Sequence, residues 1–377
     1  MSSVRTEELT RPNRKATEEE NKFKVIGTRP VRPDGIDKVT GKANFGADIV
    51  LNGMLYGAIH RSKHAHALIK KVDVSKALKL EGVKSIITHS DLATLKPTDK
   101  NSNVNFFDLA RNVLAKDKVL YDGHAIAAVA AISQTIANEA ARLIEVEYKI
   151  LKPVMNIKTA EKKNTPIIDK NIFTEGLKEP AKKPSNIAKK VEFLLGDPDK
   201  TFEQAEIVVD RKYSTQTVHQ GYIEPHACAA SYTKDNQATI WCSSQGAFMV
   251  RAYTAKLCGL ETSKIKVIPA EIGGGFGGKT TIYLEPLAVK LSEKTGRPVK
   301  IVMNRTEVMR ATGPTSGGTA HVKLGADKKG NFIAGLIELK YEAGAFAGSP
   351  VGLGCMTAFA PYNLKHVKPL FDKKTSE

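Results

Sequence analysis

The sequence predicts an α+β fold, and three observations carry that reading. Met54 to His60 and Ala125 to Ile132 read as buried strands. Thr135 to Tyr148 has helical spacing, with Ile136, Ala140, Leu143 and Ile144 on one face. A short strand at Ile265, Val267 and Ile268 leads through a glycine loop into helical spacing at Leu284, Leu287, Ala288 and Leu291.

With 377 residues, 41% apolar and 26% charged, the chain can bury a large core in two or more domains. Its longest apolar runs, such as 125–132, fall short of the roughly 20 residues a membrane helix needs. No hydrophobic signal segment occupies the polar stretch from Ser2 to Lys24, so a cytoplasmic protein with a disordered arm over 1–22 is expected. The cysteines at 228, 242, 258 and 355 form no C-x-x-C pair, which argues against structural zinc, a disulfide framework or an iron–sulfur cluster held by this chain alone. If the chemistry is redox, electrons leave through another chain. A formal charge of +17 raises nucleic acid as a partner, but the lysines are dispersed and no nucleic-acid-binding signature accompanies them.

Taken in order, 23–160 reads as one α+β domain. Its His60, His64 and His66 have no acidic or thiol neighbour in sequence and read as structural rather than metal-binding. Residues 161–190, rich in lysine and containing Pro166, Pro180 and Pro184, read as a linker. A second domain over 191–377 opens with a helical turn passing into a strand over 201–210, then strands at Ala227 to Tyr232 and Ala238 to Cys242. Just before them, Gln220-Gly221-Tyr222-Ile223-Glu224-Pro225-His226-Ala227-Cys228 would put Glu224, His226 and Cys228 on one strand face by period-two alternation. Pro225 interrupts ladder pairing there, so buried polar residues bracing a neighbouring loop are the better reading than a metal site. Next, Trp241 to Gly246 is a strand end feeding a helix over 247–257, with Gly259 just beyond. Gln245 therefore sits at the kind of edge where α/β sites gather.

The glycine loop is Gly273-Gly274-Gly275-Phe276-Gly277-Gly278-Lys279-Thr280. Its uncovered amides, placed at a helix start, would favour an anion or an electron-rich oxygen. It fits both G-x-x-x-x-G-K-[ST] and G-x-G-x-x-G. A nucleotidase wants a later strand ending in aspartate, and a dinucleotide fold wants an acidic residue about twenty positions on. The later strand at Val299 to Met303 ends in Asn304, so neither context is present.

Three motifs in order, QGYIEPHA from Gln220, Gln245 after a strand, and GGGFGGK from Gly273, resemble the molybdopterin-binding subunit of the xanthine dehydrogenase, aldehyde oxidase and carbon monoxide dehydrogenase family. RSKHAHA from Arg61, VDVS from Val72 and YDGH from Tyr121 are similar to that family's N-terminal α/β hammerhead domain. The resemblance covers nearly all of the chain after residue 22. It implies a hammerhead domain followed by the first part of a molybdopterin-binding α/β domain, in a molybdenum hydroxylase acting on an aldehyde or (hetero)aromatic substrate. It also implies a molybdopterin cofactor with molybdenum, taken in its cytosine dinucleotide form, with 2Fe-2S and FAD on partner subunits. By position, Gln245, Gly246, Gly274, Gly275, Phe276 and Gly277 would contact the cofactor, Gln245 through its amide and Phe276 and Gly277 through their backbone. Thr280 stands where purine-oxidising members carry a glutamate, which speaks against a purine. The catalytic glutamate of relatives has no counterpart before Glu377, so the base is expected on a second molybdopterin-domain chain, as in nicotinate dehydrogenase-like enzymes. The alternatives are a phosphate-loop nucleotidase and a structural subunit without metal.

Overall fold

In the computed structural model the described residues are 24–99 and 104–374; the arm expected over 1–22 lies outside them. The chain divides into two compact units, up to Asn44 and from Phe45 onward. In the first unit the described part holds one short helix, α1 (Gly35–Thr40), closed by Gly41 in the left-handed conformation.

The second unit begins with β1 (Leu55–Arg61), β2 (Ala67–Asp73), α2 (Ser75–Lys79), β3 (Val83–Thr88), α3 (Phe106–Val113), β4 (Lys118–Val119), β5 (Ala125–Ala131), α4 (Gln134–Leu143), β6 (Glu145–Ile150) and α5 (Ile157–Ala160). It continues through β7 (Ile187–Glu192), α6 (Pro198–Phe202), β8 (Ile207–Thr215), β9 (Ala227–Tyr232), β10 (Ala238–Cys242), α7 (Ala247–Cys258) and β11 (Ile265–Pro269). The last elements are α8 (Glu285–Thr295), β12 (Val299–Val302), α9 (Arg305–Ala311), β13 (Gly318–Ala326), β14 (Phe332–Glu342), α10 (Val351–Thr357) and β15 (Val367–Lys374). No helix among the described residues is long and apolar enough to cross a membrane.

A seven-stranded sheet, β11-β10-β9-β12-β1-β5-β3, carries the site. Strands from the first 131 residues continue directly into strands from 227–302, because β1 pairs in parallel with β12, Leu55 opposite Val299. Every residue of β5 is buried, and the reason is its composition: Ala125, Ala128 and Ala130 enter one core, while Ala127, Val129 and Ala131 enter another with Ala137, Ala140 and Ala141 of α4. Small side chains on both faces let layers close on a strand from either side. Helix α8 contributes Leu287, Ala288, Val289 and Leu291 to the first core. The same unit holds a three-stranded sheet, β4-β2-β6, and a five-stranded one, β7-β15-β14-β13-β8.

Two local expectations need correction. The helix expected over 135–148 stops at Leu143, because Ile144 is extended and Glu145-Val146-Glu147-Tyr148 alternates with period two, which β2 pairs as β6. The glycine loop does not sit at a helix start either. Helix α8 begins only at Glu285, whose Oε2 accepts from the amides of Tyr283 (3.0 Å) and Leu284 (3.1 Å), so a buried carboxylate already occupies that end.

The histidines at 60 and 66 hold structural positions: each ring Nδ1 lies within hydrogen-bond distance of a main-chain oxygen, of Ala141 (2.8 Å) and Lys152 (3.0 Å) respectively. His124 is fully buried; Leu120 N donates to its Nδ1 (3.2 Å) and its Nε2 donates to Arg111 O (2.8 Å). Burial pushes His124 and His226 down to about 3. In the unfolded chain both rings take a proton near their ordinary value, so between that value and about 3 the unfolded state binds more protons and stability falls as pH falls. The expected loss is up to about 1.4 kcal/mol per pH unit for each histidine. Denaturant midpoints measured at pH 7 and pH 5 check it: the midpoint should drop, and His124→Asn should shrink the drop. A midpoint independent of pH in that interval would count against this protonation linkage.

Candidate functional site

Strand β10 ends at Cys242, and Ser243-Ser244-Gln245-Gly246 carries the chain into α7. Beside it, 270–284 connects β11 to α8 and contains the glycine loop. Since β10 and β11 are parallel neighbours, Cys242 opposite Pro269, both segments leave the same end of the sheet side by side. Gln245 makes three bonds to the loop. Gln245 N donates to Lys279 O (2.9 Å), and Gln245 Oε1 accepts from Gly277 N (3.0 Å) and Lys279 N (3.1 Å). Two N–H neighbours fix which end of the amide faces the loop, so the NH2 end of this exposed side chain is the one left to donate outward.

Inside the loop Gly274 (φ +95°), Phe276 (φ +49°) and Gly277 (φ +91°) are left-handed. For a bulky residue such as Phe276 this conformation is strained, and the residue is 73% exposed. Gly278 N donates to Gly275 O (2.7 Å), closing the turn. Among the described residues the amides of Gly274, Gly275 and Phe276 meet no acceptor. Gly275 is packed against Gln245: a Cβ there would stand 2.5 Å from Oε1. A Cβ at Gly277 would meet nothing within 4 Å, so that face is open. Gly246, the residue before α7, donates to Ser244 Oγ (3.0 Å).

The underside of the loop is polar and buried. Lys279 Nζ lies 2.6 Å from Glu224 Oε2, with the lysine side chain 0% and the glutamate 9% exposed. The same Oε2 accepts from Gly273 N (2.7 Å). Burial pushes the Lys279 ammonium down, and the Glu224 carboxylate opposes that shift. Tyr222 OH pairs with His226 Nε2 (2.7 Å) and with Thr312 Oγ1 (3.1 Å), and Arg305 Nη1 donates to Tyr222 O (2.8 Å). Glu224 and His226 thus precede β9 rather than share a strand face with Cys228, since β9 begins only at Ala227. Arg305 and Thr312 gave no signal in the sequence, being some 80 to 90 residues from their partners.

The phosphate-loop reading fails on Lys279. In such a loop the lysine reaches toward phosphate, whereas here its ammonium is buried beneath the turn and paired with Glu224. No group of three or more His, Cys, Asp or Glu among the described residues could hold a metal ion.

Unpaired amides and a fixed carboxamide at the exit of two parallel strands form a donor set suited to an electron-rich ligand, carried on a mixed sheet. Comparison with known proteins makes this specific. Residues 179–371 match the molybdopterin cofactor-binding domain, and residues 40–152 match the a/b hammerhead domain of aldehyde oxidase and xanthine dehydrogenase. The chain belongs to the aldehyde oxidase and xanthine dehydrogenase family of molybdopterin-binding proteins. It is 32% identical over 338 residues to the carbon monoxide dehydrogenase large chain of Afipia carboxidovorans, covering 88% of this chain and 41% of that protein. It is also 32% identical to the nicotinate dehydrogenase large molybdopterin subunit of Eubacterium barkeri, covering 86% of this chain and 72% of the relative. Among solved structures, quinoline 2-oxidoreductase from Pseudomonas putida 86 superposes with a TM-score of 0.79 at 26% identity, over 93% of this chain and 44% of that one. The chain therefore spans under half the length of several relatives it matches.

Proposed function

We propose that this chain is a molybdopterin-binding subunit of a cytoplasmic molybdenum hydroxylase, with Gln245, Gly246, Gly274, Gly275, Phe276 and Gly277 lining the cofactor. The carrying observation is the row of unpaired amides at 274–276 beside the outward NH2 of Gln245, a donor set suited to a group rich in acceptor oxygens. When bound, the group supplies two-electron oxidation of an aldehyde or (hetero)aromatic carbon, with oxygen drawn from water. The substrate loses one hydrogen, water gives the oxygen, and two electrons and two protons depart. This chain's part is to hold the acceptor end of the group with fixed donors and to keep its loop rigid. Electrons pass to 2Fe-2S and FAD on partner chains. A second molybdopterin-domain chain provides the base; the carboxylate under the loop, Glu224, is bound to Lys279 and Gly273. The cofactor is taken as the cytosine dinucleotide form.

The test is to purify the native complex and measure molybdenum together with the fluorescence of released, oxidised pterin. Both should be present in proportion to this chain. A complex with its full set of partners and neither molybdenum nor pterin would overturn the reading in favour of a structural subunit.

A further inference from the structure

We infer that Glu224 and Lys279 are positioning residues, a buried clamp that sets where the loop's unpaired amides stand relative to Gln245. The inference rests on the functional reading above and concerns groups that would not themselves touch the cofactor.

The geometry is specific to one atom. Glu224 Oε2 takes Gly273 N at 2.7 Å from the start of the loop and Lys279 Nζ at 2.6 Å from its end. The Glu224 amide in turn donates to Gly273 O (3.2 Å), so the first residue of the loop is held in both directions. The segment from Gly273 to Lys279 thereby becomes a closed ring across a single oxygen. Its span is fixed, and the turn must bulge outward at Gly274, Gly275 and Phe276. Glu224 is itself anchored, since Arg305 donates through Nη1 to Tyr222 O (2.8 Å) and through Nη2 to Ile223 O. Tyr222 supports the ring from below: its aromatic centre lies 5.1 Å from Lys279 Nζ, and a Cβ on Gly278 would stand 2.7 Å from its Cε1.

A buried ion pair is a poor way to gain stability, because apolar residues of similar volume do as well or better. What it offers is registry: a carboxylate oxygen can accept a backbone N–H and an ammonium at once, and no apolar pair reproduces that bridge. The opposite side of the loop is pinned by Gln245 Oε1 on Gly277 N and Lys279 N. Lys279 is therefore the shared post of both clamps, its amide in one and its ammonium in the other.

The experiment compares the full chain, free and in its native complex, as wild type, Glu224→Gln, Lys279→Met and the double variant Glu224→Gln/Lys279→Met. The double variant carries no buried charge in the pair, so it separates positioning from the penalty of an unpaired ion. Hydrogen exchange of the peptide covering 273–280 is read in the free chain, and the electron paramagnetic resonance signal of partly reduced molybdenum, with kcat and KM, in the complex. In the double variant the loop peptide should exchange at least about ten-fold faster while global melting stays within the wild-type range. The molybdenum signal should change, and kcat should fall about ten-fold or more with KM held, as expected when a transition-state contact is misplaced. Loss of molybdenum from a double variant that melts normally also supports the clamp. A double variant with wild-type exchange, resonance signal and kcat overturns it, and should that variant fail to fold, Glu224→Gln alone is read by the same criteria. If the wild-type complex holds no molybdenum, the functional reading falls, while the exchange arm still decides whether the clamp exists.

Discussion

Replacing Gln245 by alanine is expected to lower turnover of the assembled complex by about a hundred-fold or more, the usual cost of losing one preorganised donor at a reacting centre. Molybdenum content should stay close to that of the unmodified complex, because the amides of Gly274, Gly275 and Phe276 remain in the chain. The side chain does two things, however. Its Oε1 accepts from Gly277 N and Lys279 N, and its NH2 end is free to donate outward. Alanine removes both. Gln245→Glu separates them: a carboxylate keeps an acceptor for the two amides and has no hydrogen to donate. The glutamate variant should therefore keep the slow exchange of the loop peptide and still lose turnover, whereas alanine should lose both. Full activity in either variant would remove Gln245 from the cofactor.

How much of this was legible in the sequence depends on how local its cause is. Strands β9 and β10, helix α7 and its stop at Gly259 follow from short-range alternation, helical spacing and a left-handed glycine, and they fall where the residues place them. Strand β5 is readable for the same reason, as a continuous run of small apolar residues. The overrun of α4 into β6 arose because Val146 and Tyr148 fit a helical face as readily as a strand face, and only pairing with β2 decides between them. The continuity of the large sheet had no local sign at all, since Leu55 opposite Val299 is a contact between distant segments.

The site shows the same division. Gln245 and the glycine loop could be singled out because residue types and spacing mark them. The pairing of Glu224 with Lys279 could not, although bracing of a neighbouring loop by the Glu224 segment was readable from Pro225. Lys279 even pointed the wrong way: its place after the glycines matches a phosphate loop, and burial against the Tyr222 ring and beside Glu224 decides otherwise. A pattern of residue types does not say on which side of a turn a long side chain lies.

Gly275→Ala should have the second large effect, and it should act through Gln245 rather than through the backbone. Gly275 is absent from the left-handed residues of the loop, so alanine meets no conformational penalty there. Its Cβ would instead stand 2.5 Å from Gln245 Oε1 and 2.9 Å from Cδ, closer than carbon and oxygen tolerate. Gln245 is exposed and can swing away, which keeps the cost in global stability to about 1 kcal/mol or less. Swinging away breaks the bonds to Gly277 N and Lys279 N, and a displacement of this size costs about a hundred-fold in rate when it misplaces a reacting group. Gly277→Ala is the opposite case: its Cβ would meet open space, but φ of +91° is strained for any other residue by about 1–2 kcal/mol. Gly277→Ala should therefore lower melting more than Gly275→Ala does. The decisive comparison is the double variant Gly275→Ala/Gln245→Ala. If the alanine methyl acts by displacing Gln245, removing that side chain leaves nothing to displace, and the double variant is no slower than Gln245→Ala alone. Rate losses that instead multiply would mean that the methyl also obstructs the contact of the Gly275 amide itself, beyond its effect on Gln245.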